Sequence, residues 1–397
     1  MSMAQAGDLG RQVRSLYLVA IALFVVTIVI GIVNGLDLYE FDRNQLLTHV
    51  HSGTVGWLSL GIIASAIWMR GSASRTMALA FAILIPAYVL AFYSGNLPAR
   101  AVTGVALLLA MAWLFVWAWR WAISDRSLPA LAVTLGITSF FYGGIIGVLF
   151  QVQLATGATL FPEGADIVGA HAGTMTFAYL ILAAMGFLEW RVRATTGMPI
   201  LGLVQIVALF GGGALLAVVS IFAPDQVQAI GGIYLLVELV AVVLFAIRIL
   251  PSAVRTDWMA DGAARFIATS SLFVIVAMAL YIYLVMSFLA DPTQPFEDFF
   301  PILFASDHAA YIGVMTNVLI ALMLGLAADR ADGRGILTQA GYWVMNLGLI
   351  TFLVGLATET SILKQIGAPS MGIALLVLLA ISVTRLRVSD LSGAGSR

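Results

Sequence analysis

Apolar residues run in long blocks along this chain, separated by short polar segments. Blocks of about 20 apolar residues recur from Ser15 almost to the C-terminus, and a helix of that length crosses a hydrocarbon core of roughly 30 Å. The pattern predicts twelve helices, at approximately 15–37, 48–69, 76–95, 101–123, 130–152, 167–189, 199–223, 227–250, 264–289, 302–327, 336–358 and 368–385. The first block has no small-residue cleavage site after it and reads as a retained helix rather than a signal peptide. Composition agrees with the pattern. With 61% hydrophobic and 10% charged residues, a 397-residue water-soluble globule could not hide its apolar side chains. The expected fold class is an all-α polytopic membrane protein, with the lipid bilayer as its first partner.

The net charge of −1 conceals an asymmetry. Counted across twelve helices, sixteen arginines from Arg11 to Arg397 fall on one side, whereas Arg43, Arg100 and Lys364 fall on the other. By the positive-inside rule both termini are expected in the cytoplasm. The basic residues therefore report topology and give no case for nucleic-acid binding. The chain has no cysteine, which removes disulfides, thiolate metal sites and iron–sulfur clusters.

Internal repetition organises the rest. "HSGTVGWLSL" from His51 is echoed by "HAGTMTFAYL" from His171 and more weakly by "HAAYIGVMTN" from His308, each opening the second helix of a four-helix unit. Three pseudo-symmetric repeats are expected, about 1–126, 127–260 and 261–397, forming one transmembrane domain with a disordered tail at 388–397. His51, His171 and His308 then enter from the same face at one depth. Intramembrane ionisable residues are costly on a lipid face and belong by default inside the bundle.

Histidine is the usual nitrogen ligand of haem iron, and a six-coordinate low-spin haem needs an imidazole on each face. Gly53 and Gly56 in the second helix and Gly173 in the sixth would let a flat macrocycle approach the backbone. The competing reading makes each histidine an interfacial residue bonded to a loop. His49 stands apart: two residues along a helix point about 200° away, so His49 and His51 cannot face one haem unless the helix begins at His51. His49 is then a structural or solvent-facing residue, an alternative axial ligand, a neighbour of a ligand, or part of a weak metal site with His171. Arg43, Arg100 and Lys364 are the cations available to haem propionates. Glu238, mid-helix in "GIYLLVELVAVVLF", must be protonated, hydrogen-bonded or paired, and serves either a proton relay or a neutral interhelical hydrogen bond. Glu359 and Asp307 are candidates to orient a ligand imidazole.

The run "THVHSGTVGWLSL", the histidines opening helices 2, 6 and 10, and the twelve-helix plan resemble subunit I of the haem–copper oxidase superfamily, especially its nitric oxide reductase and C-type branches. The resemblance implies a low-spin haem b held by His51 and His308, with His171 at the place of a ligand to copper or another second metal. It also implies a prokaryotic inner membrane and a redox partner protein or second subunit. The family's helix-10 pattern of two histidines is here Ser306, Asp307, His308, and its histidine pair in helix 7 is absent. A complete oxygen- or nitric-oxide-reducing centre is therefore not expected. What remains open is a haem protein for electron transfer or gas binding, a cofactor-free transporter or channel, or an assembly or regulatory protein of oxidase descent.

Overall fold

The structure is a computed structural model that describes residues 3–72, 74–193, 197–260, 262–291, 294–326 and 335–386. Among them are twelve helices long and apolar enough to cross a bilayer. The first six are α1 Gly7–Gly35, α2 Arg43–Arg70, α3 Arg75–Tyr93, α4 Leu97–Asp125, α5 Leu128–Thr156 and α6 Ile167–Val192. The rest are α7 Ile200–Phe222, α8 Pro224–Ala253, α9 Ala264–Ala290, α10 Glu297–Leu326, α11 Gly335–Ala357 and α12 Ser361–Arg385. No strand occurs among the described residues. The chain is an all-α, multi-pass membrane protein. Leu79, Val102, Leu109, Phe222 and Ile233 are each more than half exposed, which suits lipid rather than water. The expected disordered tail at 388–397 lies outside the described residues.

Local chemistry sets the helix starts. Hydropathy places the start of α2 near residue 48, but the helix begins at Arg43 because Asp42 and Gln45 form a capping box. The Asp42 carboxylate accepts from the Gln45 amide and the Gln45 side chain accepts from the Asp42 amide, both at 2.9 Å. Asn96 and Ser127 cap α4 and α5 through their side chains alone, accepting from the Ala99 and Ala130 amides, and each is followed by a proline in the first turn.

The chain packs as two compact units. One contains residues 1–95, 256–267 and 311–397, and the other 96–255 and 268–310. Lipid supplies no hydrophobic drive between helices, so polar links and small residues carry much of the association. In the first unit Tyr17 and Ser65 hydroxyls meet at 2.6 Å, joining α1 to α2. Trp57 Nε1 donates to Thr316 Oγ1 at 2.9 Å, and Asn317 Nδ2 donates to Asn346 Oδ1 at 3.0 Å, so that α10 is tied to α2 and α11. In the second unit Arg248 of α8 bridges Glu189 of α6 at 2.9 and 3.1 Å and donates to Gln205 of α7 at 2.7 Å.

Glycines set the closest approaches. A Cβ on Gly56 would lie 2.9 Å from Leu23 Cβ, whereas one on Gly211 would meet nothing within 4 Å. Gly56→Val should therefore destabilise the detergent-solubilised protein by about 1–3 kcal/mol. Gly211→Ala, on the exposed face of α7, should stabilise it by about 0.5–1 kcal/mol. Thermal midpoints shifted in the same direction by both changes would contradict this packing.

Candidate functional site

Three hydrogen bonds join the second helix of each expected repeat to the helix before it. His49 Nδ1 lies 2.9 Å from the Thr27 carbonyl on α1, and His171 Nδ1 lies 2.9 Å from the Gly143 carbonyl on α5. Ser306 Oγ donates to the Ala277 carbonyl on α9 at 3.1 Å. In each case the second helix of a repeat reaches the first. Gly31 and Gly147, each four residues beyond the accepting carbonyl, make room for the ring: an added Cβ would sit 3.1 Å from His49 Cε1 and 2.6 Å from His171 Cε1.

Three residues after each of these positions the helix widens into an eight-residue π-helical stretch: Ser52–Ser59, Thr174–Ile181 and Ala309–Thr316. Such stretches are rare in ordinary helices and concentrate at functional sites. Eight residues on, Trp57 stacks on Phe24 at 4.8 Å and Tyr179 stacks on Phe140 at 4.7 Å. These four features share one register, and it differs by two residues from the one expected. His171 corresponds to His49 and Ser306, while His51 and His308 correspond to Gly173. The expected equivalence of His51, His171 and His308 is corrected accordingly: it matched histidine to histidine, whereas the register is set by what each position bonds on the preceding helix.

His51 and His308 share a different arrangement. Each is the last residue before its π-helical stretch, and each places Nδ1 2.7 Å from the carbonyl four residues earlier, Leu47 and Phe304 respectively. A carbonyl oxygen only accepts, so Nδ1 carries the proton and the lone pair of the neutral ring sits on Nε2. His51 also stacks on Phe92 of α3 at 3.7 Å, with Tyr88 edge-on at 6.0 Å. Because α2 starts at Arg43, His49 and His51 are both helical and leave on different faces, His49 toward α1 and His51 toward α3.

Several expected roles change. Gly53 and Gly56 serve the contact with α1, where a Cβ on Gly53 would lie 3.1 Å from Thr27 Cγ2, rather than clearing a face for a macrocycle. Backbone carbonyls, and not Glu359 or Asp307, receive the Nδ1 protons; Glu359 is exposed and Asp307 lines a cavity. Arg43 is exposed in the first turn of α2, Arg100 is buried at 4% exposure in the first turn of α4, and Lys364 is half-buried. His171 has its Nδ1 committed to Gly143, and among the described residues no group of three or more His, Asp or Glu side chains gathers as a metal site.

Other features went unread in the sequence. Arg248 looked like a topology marker and is instead the buried partner of Glu189. The second unit holds a cavity of about 860 Å³ at its histidine end, reached by α6 to α10. Glu238 is fully buried beside it, and neither carboxylate oxygen makes a hydrogen bond among the described residues, so the interhelical bond expected of it is not formed.

No family model matches the chain, and no curated protein matches it.

Proposed function

We propose that the protein binds haem b within the membrane, with His51 and His308 as its imidazole ligands, and that it serves electron transfer or the handling of a gas such as nitric oxide or oxygen. The observation that carries this is the shared build of the two residues: the same position before a π-helical stretch and the same 2.7 Å bond from Nδ1 to the carbonyl four residues back. A metal-ligating histidine needs its other ring nitrogen anchored to an acceptor, because that bond fixes both the tautomer and the ring orientation. His49 and His171 are anchored across helices, which suits a structural role. Arg43 and Arg100 are the cations offered to the propionates. When bound, haem supplies a one-electron centre, and the chain contributes the orientation of the imidazoles and an apolar surround that sets potential and gas access. An electron-transfer role also calls for a redox partner protein. The arginine asymmetry supports cytoplasmic termini, and the resemblance to haem–copper oxidase subunit I suits a prokaryotic inner membrane.

Purified protein should show a reduced-minus-oxidised optical spectrum with the split α band of a low-spin b haem. Protein that is folded, monodisperse and free of haem after expression with ample haem supply would refute the proposal.

A further inference from the structure

The cavity of the second unit has a chemistry of its own, independent of haem. Its walls carry Phe177, Phe288, Phe300, Tyr234 and Tyr281. Its polar rim carries the carboxylates of Asp166, Asp225 and Asp307, and no Lys, Arg or His is among its lining residues. Haem propionates would meet only acidic groups there. A cation would meet aromatic faces, which attract positive charge through their quadrupoles, and carboxylates at the mouth.

A second observation points the same way. Tyr234 Oη donates to Tyr281 Oη at 2.7 Å at the cavity wall, and Phe177 stacks on Tyr281 with ring centres 3.6 Å apart. One helical turn beyond Tyr234, on the same face of α8, lies Glu238. The ionisable groups that interact with it are the phenols of Tyr142 on α5, Tyr234 on its own helix and Tyr281 on α9; α7 presents Gly212 against the carboxyl. A carboxylate ionised in a dry interior with neither donor nor cation would hold an uncompensated charge.

We infer that this cavity is a binding site for a lipophilic organic cation, such as a quaternary phosphonium or ammonium ion, whose entry is matched by the release of the Glu238 proton. The positive charge arrives at the cavity, the Glu238 O–H bond breaks, its electron pair stays on the carboxylate, and the proton passes to water. One charge enters and one leaves. Binding therefore strengthens as pH rises.

The test is titration of the purified full-length protein with tetraphenylphosphonium in weakly buffered solution, following heat and proton release together. Tetraphenylborate, of the same shape and opposite charge, is the control. Saturable binding of the phosphonium alone, with on the order of one proton released per cation, supports the site. Asp307→Asn should weaken the phosphonium roughly tenfold. Glu238→Gln should remove the proton release and the pH dependence. Absence of saturable binding by the wild type, equal binding of the borate, or undiminished proton release from Glu238→Gln would each overturn the inference. The haem spectrum is not part of this readout, so failure here and failure of haem binding are separate results.

Discussion

Replacing His51 or His308 with alanine should remove the low-spin haem spectrum, whereas His49→Ala should leave it in place. The expectation follows from the ring nitrogens. In His51 and His308 the Nδ1 proton goes to a carbonyl of the same helix, Leu47 or Phe304, so each ring is held by its own turn and presents Nε2 as a ligand nitrogen. His49 is held by Thr27 on α1, and its loss should appear as reduced stability without a change of spin state. Added imidazole should restore the low-spin spectrum of the alanine variants if ligation was what they lost. A spectrum that survives His308→Ala but disappears with His171→Ala would move the ligand to the sixth helix and contradict the assignment made from the hydrogen bonds.

Glu189→Ala or Arg248→Ala should each destabilise the protein by about 3–5 kcal/mol, more than any other single change considered. Both side chains are at most 4% exposed, and the pair is closed at 2.9 and 3.1 Å with Gln205 completing the guanidinium's bonds. Removing one partner strands a buried charge in the other. The double replacement by alanine should cost less than the sum of the two singles, because it leaves no charge behind. Unfolding midpoints in detergent check this; strictly additive losses would show that the ion pair does not couple.

Sequence and structure agree where apolar length alone decides, and part where local chemistry intervenes. Twelve spans were readable because each needs about 20 apolar residues whatever its neighbours. The start of α2 was not, since "FDRNQLLTH" is polar and hydropathy does not register a capping box. The hydrogen bonds from α2, α6 and α10 to the preceding helix follow a register two residues away from the one read by matching His51 with His171. Aligning His49 with His171 also matches Thr54 with Thr176 and Leu58 with Leu180 and sets Trp57 against Tyr179, whereas the expected register matches His, Gly, Thr and Leu, so residue identity alone does not separate the two. The π-helical stretches left no such trace, since no residue type demands them. The Glu189–Arg248 pair and the cavity depend on helix neighbours far apart in the chain, which periodicity does not report.

The sharpest test of haem ligation by His51 and His308 is the electron paramagnetic resonance spectrum of the oxidised, purified protein, taken with its haem content. One b haem per chain with a low-spin ferric signal of two imidazole ligands, absent from His51→Ala and from His308→Ala, is the expected result. A chain that folds without haem, or whose haem is high-spin in the wild type, would contradict it.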